Sequence, residues 1–427
     1  MKRVLVTGVA GFLGSHLADK FLEMNLDVIG IDNLIGGYRE IVSEKVRFHE
    51  VDLGNLNLIS PYFKNVDLVV HSACTAYEGL SVFSPGLVTQ NTSQITTNVL
   101  SASAQAGVKK FVFMSSMARY GTQKEIPFRE EMTPKPQDPY GIAKLASELM
   151  VRNICETHGM EYVILVPHNI IGPRQKYDDP YRNVVSIMIN LMLQKRNPII
   201  YGDGNQKRTF SDIDDCIYCL DKLITDPKVV SQVVNIGPDE EFITINELYH
   251  LLCNKLKFNL EPKYLENRPN EVKEATCSAD KARKILGYKT NISLNKSLDK
   301  IIDYIQKKGP KNFQYNYPLE INNENLDRKN NRHEDETKTH GQRQITLGCF
   351  ERNGRCHHPC EAVDIAAHNH NGPHFANGPA KASQGGGHQG APPIPNERCN
   401  SLAMGGVQGN QQIMVVGPKL AHGLVGD

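Results

Sequence analysis

Residues 4–14 read Val-Leu-Val-Thr-Gly-Val-Ala-Gly-Phe-Leu-Gly, and this stretch decides the fold. The apolar, largely β-branched run predicts a buried strand, and the glycines that follow predict a tight turn into a helix. The first glycine permits the turn, the second lets a pyrophosphate approach the backbone, and the third allows the helix to pack closely on the strand. The free amides and positive dipole of the helix start favour an anion. The residues predicted to contact a dinucleotide here are Gly8, Gly11, Phe12, Leu13 and Gly14.

Acidic residues at the next two predicted strand ends extend the pattern. Asp32 lies 18 residues after Gly14, at the end of the second strand. A carboxylate there accepts hydrogen bonds from both adenosine ribose hydroxyls and repels a 2′-phosphate, which favours NAD over NADP. Asp52 and Leu53 close the third strand, where we expect them beside the adenine; the alternative is an aspartate in a turn.

The same alternation continues to about residue 310. Short β-branched runs alternate with helical patterns, which predicts a parallel sheet covered on both faces. We therefore expect an α/β fold: a Rossmann-like, doubly wound parallel sheet with a smaller, interleaved α/β domain. The first domain takes residues 1–166 and 209–236, and the second takes 167–208 and 237–310. The predicted strands are Lys2–Thr7, Asp27–Asp32, Val46–Asp52, Leu68–Ala73, Lys110–Ser115, Tyr162–Pro167 and Ser231–Gly237.

Residues 311–427 are predicted to form a disordered tail. The last 97 residues hold 15 of the 34 glycines and 9 of the 15 histidines, so they carry little clustered apolar surface to offset the entropy of ordering. Cys356, His357, His358 and Cys360 could be metal ligands, but their spacing matches no standard zinc module, and no metal site is predicted.

Composition narrows the class of partner. Lys and Arg number 48 against 47 Asp and Glu, a formal net charge of +1, so no strong field favours nucleic acid or an anionic membrane. No apolar run approaches the ~20 residues of a membrane span, and the N-terminus carries no signal-peptide pattern. We expect a cytoplasmic protein whose scattered cysteines are reduced.

A second constellation points to catalysis. Tyr140 and Lys144 are four residues apart in a predicted helix, so the phenol and the ammonium share one face. A phenol has a reference pKa of about 10, and a nearby cation and nicotinamide ring favour the phenolate. Ser115 and Ser116 end a buried strand and place hydroxyls at the same sheet edge. The alternative is a chance Tyr-x-x-x-Lys on a surface helix.

These motifs together resemble those of the extended short-chain dehydrogenase/reductases. Within that superfamily the chain is similar to the nucleotide-sugar epimerase/dehydratase branch and its UDP-glucose 4-epimerases, over residues 1 to about 308. One segment departs from the pattern: Asn91-Thr-Ser-Gln-Ile95 stands where relatives often carry Asn-x-x-Gly-Thr near the nicotinamide. The motifs that carry the resemblance are Thr7–Gly14, Ser116, Tyr140–Lys144, Asn169–Arg174 and Tyr201–Arg208.

The resemblance implies a role for particular residues. Ser116 matches a hydroxyl that bonds the sugar 4-oxygen, Tyr140 matches the acid/base, and Lys144 matches the lysine that holds the nicotinamide ribose and tunes the tyrosine. It also implies a homodimer formed through the helices near 90–106 and 139–158. The positions matching substrate ligands are Asn169 and Asn183 near the phosphates, Tyr201 on uracil, Arg208 and Arg268 on the diphosphate, and Ala275 beside the sugar C2 substituent.

Simpler interpretations of these residues stay open. Asn169 could be a turn former, either arginine could form a surface ion pair, and Ala275 could be a small residue in a tight strand.

The reaction type is predicted from the two residues that follow Ser116. Related dehydratases carry an Asp-Glu pair there, whereas this chain has Met117 and Ala118, which move no proton. The sequence therefore predicts C4 epimerisation of a UDP-hexose; the alternatives are a nucleotide-sugar dehydrogenase or reductase and a non-catalytic dinucleotide sensor.

Overall fold

The computed structural model describes residues 1–226, 229–240, 242–267, 272–314 and 319–321. The strands are β1 (Arg3–Thr7), β2 (Asp27–Asp32), β3 (Arg47–Glu50), β4 (Leu68–His71), β5 (Lys110–Met114), β6 (Glu161–Pro167), β7 (Ile170–Ile171), β8 (Ile199–Tyr201), β9 (Lys207–Arg208), β10 (Ser211–Asp212), β11 (Gln232–Ile236), β12 (Ile243–Thr244), β13 (Lys263–Leu265) and β14 (Glu274–Ala275). The helices are α1 (Phe12–Glu23), α2 (Leu56–Ile59), α3 (Glu78–Ser81), α4 (Pro85–Thr89), α5 (Ile95–Ala106), α6 (Pro139–Thr157), α7 (Val184–Leu193), α8 (Ile213–Tyr218), α9 (Asp221–Thr225), α10 (Ile245–Leu256), α11 (Asp280–Leu286) and α12 (Leu294–Lys308).

Seven strands form one parallel sheet in the order β11-β6-β5-β4-β1-β2-β3. The strand order reverses between β1 and β4, and helices cover both faces. A crevice opens at such a reversal, outside the carboxyl ends of the strands. The structure therefore confirms the predicted Rossmann-like fold.

Two apolar clusters sandwich the sheet. One cluster packs α1, α8 and α11 on one face, through residues such as Leu17, Ile217 and Leu286. The other packs α5 and α6 on the opposite face, through Val99 and Val151. We call the sheet with these helices the first lobe.

A third cluster is the core of a second lobe, built around α7, α10 and α12. Met188, Leu248 and Ile301 lie at its centre and are fully or almost fully buried. Helix α10 begins with a capping box in which Thr244 and Glu247 bond each other's backbone amides. The second lobe is thus a small helical layer with its own core.

Two stretches of chain pack against parts of the structure outside the domain or tail to which the sequence assigned them. Ala282 and Leu286 fall in the stretch assigned to the second domain, yet they pack in the first lobe, because the apolar side of α11 covers the sheet beside β11. At the start of the predicted tail, the amide of Lys311 donates to the side-chain oxygen of Asn190 at 2.9 Å, and the amide of Glu320 donates to the Phe83 carbonyl at 3.1 Å. The rest of the predicted tail, with its Cys/His cluster, lies outside the described residues.

The described ranges contain six cysteines and twelve α-helices. The described cysteines are free thiols; Cys155, Cys216, Cys219 and Cys277 are buried, and Cys74 and Cys253 are partly buried. Within those ranges, no helix combines the length and apolarity needed to cross a bilayer.

Among the described residues, two histidines are fully buried. The ring of His71 lies between the hydroxyls of Thr7, at 2.7 Å, and Thr96, at 3.0 Å, and burial lowers its pKa to about 3. The ring of His168 is 2.7 Å from the carbonyl oxygen of Pro238, and burial lowers its pKa to about 4. Both rings are therefore neutral in the folded protein at neutral pH.

These histidines predict loss of stability in mild acid. Below their ordinary pKa of 6.5 the unfolded chain binds protons that the folded chain does not, so the free energy of unfolding falls as pH falls from 6.5 toward 4. Each ring contributes a slope approaching ~1.4 kcal/mol per pH unit. The free energy of unfolding, measured with urea at pH 7.5, 6 and 5, should fall less steeply with decreasing pH in His71→Gln than in the parent. His158→Gln, at an exposed histidine, is the control; equal slopes in both variants would contradict this account.

Candidate active site

The turn between β1 and α1 is shaped by close backbone contacts. Gly8 has a φ of +70°, and a Cβ there would lie 2.8 Å from the Cα of Ala73. A Cβ on Gly14 would lie 2.1 Å from the carbonyl oxygen of Gly8, so a larger residue would push the helix off the strand. Gly11 is the N-cap and makes no side-chain cap bond. The first amides of α1 therefore stay available to an anion.

The two acidic strand ends lie beside this turn. One carboxylate oxygen of Asp32 accepts the amide of Ala10 at 2.9 Å, and the other accepts the amide of Leu34 at 2.7 Å. Burial raises the pKa of Asp32. Asp52 accepts the side-chain amide of Asn33 at 3.2 Å, and Leu53, next to it, is buried. The uncapped amides and the carboxylate on one cleft fit a dinucleotide, and they correspond to the predicted phosphate and ribose contacts.

The predicted catalytic residues come together at the carboxyl end of β5. Asp138 caps α6 by accepting the amide of Gly141 at 2.9 Å, which fixes the helix start just before Tyr140. Lys144, 1% exposed, donates from Nζ to the carbonyl of Met114 at 2.7 Å and lies 5.8 Å from the centre of the Tyr140 ring. The phenol and the ammonium thus share one face, as the spacing predicted.

Burial is the main influence on the pKa of Tyr140. Burial raises its pKa well above 10, the nearby thiol of Cys74 adds to the shift, and a hydrogen bond with Ser116 opposes it. Desolvation of the phenol therefore outweighs the hydrogen bond with Ser116 and favours the protonated form. That Lys144 and a bound nicotinamide ring favour the phenolate stays a prediction.

Ser116 stands at the mouth of the same cleft. It caps the short turn Met117–Tyr120, and its Oγ accepts the amide of Ala118 at 3.2 Å. Met117 and Ala118 also line the cleft. Neither side chain carries an ionisable group, so these two positions supply no acid or base; Cys74, Glu78 and Asp138 also line the cleft and lie near Tyr140.

The predicted substrate residues line the cleft from other elements. Asn169, with a φ of +41°, donates its side-chain amide to the carbonyl of Thr209 at 3.0 Å, and Asn183 caps α7 by accepting the amide of Val185 at 3.0 Å. Arg208 donates to the carbonyl of Lys207 at 2.8 Å. The predicted residues that line the cleft on this side are Asn169, Asn183, Tyr201, Arg208 and Ala275, whereas Arg268 lies outside the described residues.

Ala275 occupies a tight position. It lies in β14, which pairs in parallel with β9 and places Ala275 opposite Arg208. Its side chain is 5% exposed, packs in the first-lobe core and still borders the cleft. A larger side chain here would enter the space next to Arg208.

Some lining residues had no clear sequence signal. Asn91 lies in a π-helical turn, Gln90–Gln94, and donates its side-chain amide to Thr75 at 3.1 Å, so it borders the cleft despite the altered motif around it. Lys176 and Arg182 also line the cleft, from a loop without regular structure. Only the unusual density of charge in that loop could have drawn attention to them.

Both lobes contribute to this cleft, whose volume is about 1790 Å³. Pockets for one drug-sized ligand usually measure ~300–1,000 Å³. The cleft is thus large enough for a dinucleotide together with a second ligand of similar length.

Comparison with known proteins agrees with this geometry. The profile of the NAD dependent epimerase/dehydratase family matches residues 4–237. A Methanocaldococcus jannaschii protein provisionally named UDP-glucose 4-epimerase is 34% identical over 307 residues, 71% of this chain and 98% of that protein.

Solved structures show the same likeness. The Thermotoga maritima UDP-glucose 4-epimerase with UDP-glucose has a TM-score of 0.67 and 32% identity, covering 72% of this chain and 99% of its own. The UDP-N-acetylglucosamine 4-epimerase of Methanobrevibacter ruminantium has a TM-score of 0.67 and 28% identity over 72% and 99% of the two chains. These findings confirm the resemblance expected from the motifs. The chain belongs to the NAD dependent epimerase/dehydratase family, and NAD is its cofactor.

Proposed function

We propose that the protein interconverts C4 epimers of a UDP-sugar through a transient 4-keto intermediate. The observation that carries this proposal is the convergence of Ser116, Tyr140 and Lys144 next to the dinucleotide turn, with Met117 and Ala118 in the adjoining positions. Hydride transfer needs a proton acceptor at the sugar hydroxyl, and we assign that role to Tyr140. Relatives named as UDP-sugar 4-epimerases support the substrate class.

Each residue has a distinct part in this proposal. The glycine-rich turn and Asp32 would hold NAD, which would supply the hydride acceptor and donor for the reaction. Tyr140 accepts the proton of the sugar 4-hydroxyl and gives it back to the opposite epimer, while Ser116 holds the 4-oxygen by a hydrogen bond. Lys144 contributes a fixed positive charge, because its bond to the Met114 carbonyl keeps the ammonium at the end of β5.

Elimination of water is disfavoured by the same geometry. A dehydratase needs an acid and a base at C5 and C6 in addition to the group that acts at the 4-hydroxyl. Met117 and Ala118 occupy the positions after Ser116 and offer neither.

Incubation with a panel of UDP-glucose, UDP-galactose, their N-acetylated counterparts and UDP-glucuronic acid, followed by separation of the 4-epimers, tests the proposal. Consumption of NAD in proportion to product would instead indicate a dehydrogenase or reductase.

The substrate class is proposed in more detail from Ala275. Its neighbour in the β9–β14 pairing is Arg208, which we assign to the diphosphate, so Ala275 borders the sugar end of the cleft. An alanine leaves room for an acetamide at C2. We therefore propose that both UDP-galactose and UDP-N-acetylgalactosamine are substrates.

We also propose a homodimer formed through α5 and α6. Ile142 and Leu149 are seven residues apart on α6, so they lie on one face, and their side chains are 54% and 59% exposed. The opposite face of α6 is buried against the first lobe, through residues including Val151 and Cys155. Association of two copies along this helix would cover the exposed apolar pair.

Replacing Tyr140 by phenylalanine should abolish turnover without releasing NAD. The variant loses the proton acceptor but keeps the ring, and loss of general acid/base catalysis lowers rates by at least ~10²–10⁴. Turnover is measured on UDP-galactose, and NAD is quantified after denaturing the protein. Tyr218→Phe is the matched control, because that phenol donates to the Gly287 carbonyl away from the cleft. Near-normal turnover in Tyr140→Phe would remove Tyr140 from the mechanism.

Enlarging Ala275 should discriminate between the sugars. In Ala275→Tyr, kcat/KM for UDP-N-acetylgalactosamine should fall at least ~10-fold more than kcat/KM for UDP-galactose, because added volume excludes the acetamide first. Ala275→Ser, which stays small, should retain both activities. Thermal midpoints of both variants report whether the buried site tolerates the change. An equal loss for the two sugars would show that specificity is set elsewhere.

Charging the exposed face of α6 should prevent association. The double variant Ile142→Glu/Leu149→Glu should sediment as a monomer in conditions where the parent is a dimer, because paired carboxylates cannot be buried in an apolar contact. Leu260→Glu, a comparable change on the second lobe, should leave the sedimentation coefficient unchanged. A dimeric double variant would place the contact on another surface.

A further inference from the structure

Residues 33–38, which we call the cofactor loop, follow Asp32 and lie against the glycine-rich turn. The amide of Tyr38 donates to the carbonyl of Ala10 at 2.9 Å. A Cβ on Gly37 would lie 2.0 Å from the same oxygen, so the loop is in direct backbone contact with the turn. Asn33, Ile35 and Gly36 line the cleft. NAD held by the turn and Asp32 would therefore lie against this loop.

The second lobe holds the cofactor loop through residues 173–182, which we call the crossing segment. The hydroxyl of Tyr38 donates a short hydrogen bond to Asp178. The ammonium of Lys176 is 3.1 Å from the carboxylate of Asp178 and 4.4 Å from the centre of the Tyr38 ring. Lys311 lies on the same ring at 4.7 Å. Two cations and a carboxylate from outside the loop thus surround one phenol.

A parallel set of contacts lies one residue further along. The hydroxyl of Tyr77 donates to Asp179 at 2.5 Å, and the guanidinium of Arg182 lies 4.4 Å from the centre of the Tyr77 ring. Arg182 also donates to the carbonyl of Gly36 at 3.0 Å, within the cofactor loop. The crossing segment therefore bonds the first lobe at two tyrosines and at the loop backbone.

The start of the crossing segment is bonded to α1 itself. The carbonyl of Pro173 is 3.1 Å from the ring nitrogen of His16, and Arg174 lies 2.7 Å from the carboxylate of Asp19. His16 and Asp19 both belong to α1, the helix whose first amides face the cleft. The segment consequently spans the region from the dinucleotide turn to the cofactor loop.

Burial makes these contacts strong. Asp178 and Asp179 are each 1% exposed, so their carboxyl groups are shielded from water and depend on these partners. Burial, and then the hydrogen bond to Asp178, raise the pKa of Tyr38, so the phenol stays a donor. Hydrogen bonds between a neutral donor and a buried carboxylate are among the stronger ones in proteins, and removal of one partner leaves a costly unpaired group.

We propose that Tyr38 and Asp178, supported by Tyr77 and Asp179, are positioning residues that hold the cofactor loop closed over NAD and retain it between turnovers. The inference rests on the proposed function in one respect: a C4 epimerase regenerates its NAD in each cycle and gains nothing from exchanging it. The sugar nucleotide, in contrast, must enter and leave once per cycle.

The proposal is tested by the rate at which holoenzyme releases NAD in the absence of any sugar nucleotide. Holoenzyme is mixed with excess alcohol dehydrogenase and ethanol, so released NAD is reduced and absorbs at 340 nm. We expect release to be about tenfold faster in Tyr38→Phe and faster again in Tyr38→Phe/Tyr77→Phe, because each change removes one charge-assisted hydrogen bond. At saturating added NAD, kcat should stay close to that of the parent.

Tyr218→Phe is the matched control, since it removes a phenol hydroxyl bonded to the Gly287 carbonyl outside the cleft. Release no faster in Tyr38→Phe and the double variant than in Tyr218→Phe would overturn the proposal. So would faster release that only parallels an equal fall in thermal midpoint in all three variants. If Tyr38→Phe does not fold, Lys311→Met replaces it, because Lys311 is half-exposed. We expect this variant to release NAD at least ~2-fold faster than the parent. An unchanged release rate would contradict the proposal. Because no sugar is present, the result stands whether or not epimerisation is observed.

Discussion

The close backbone contact between α1 and the end of β1 fixes the position of everything else in the site. With only a hydrogen at Gly14, the helix approaches so near that a Cβ would lie 2.1 Å from the Gly8 carbonyl oxygen. The helix start is thereby held at the carboxyl edge of the sheet, where β2 delivers Asp32 and β5 delivers Ser116. The cofactor loop packs on the same turn through Gly37. A side chain at Gly14 would displace the anion site, the acidic strand end and the loop together.

Buried charge is the second constraint, and the fold meets it with specific partners. An ammonium inside a protein is costly unless it is hydrogen-bonded. Lys144 meets this requirement through the Met114 carbonyl, and one turn further along α6 the buried Glu148 lies 3.1 Å from Arg119 and accepts the hydroxyl of Ser115. These polar contacts join α6 to the end of β5 at two successive turns. The height of Tyr140 above the sheet edge is therefore set by hydrogen bonds as well as by apolar packing.

Features that neighbouring residues determine could be predicted from the sequence, whereas features that depend on contacts between distant residues could not. The first strand, its helix and Asp32 follow from local patterns, and the predicted strands of the main sheet recur with their ends shifted by at most two residues. Packing of α11 on the first lobe was not predictable, because a short amphipathic helix does not specify which core it covers. The contacts of Tyr38 with Asp178 join residues 140 positions apart, and no motif encodes such a pair. Asn91 reaches the cleft through a π-helical turn that the local sequence did not signal.

The contrast between the two halves of the cleft follows from what each half must do in the proposed reaction. Around the cofactor, buried carboxylates of the second lobe bond phenols of the first, so opening this half breaks several charge-assisted contacts at once. Around the proposed sugar-nucleotide site, Asn169 bonds the backbone carbonyl of Thr209, and Arg208 bonds those of Lys207 and Lys273. Under the proposed function, retention of NAD therefore depends on contacts between the lobes, whereas the sugar-nucleotide site is held by bonds to backbone carbonyls.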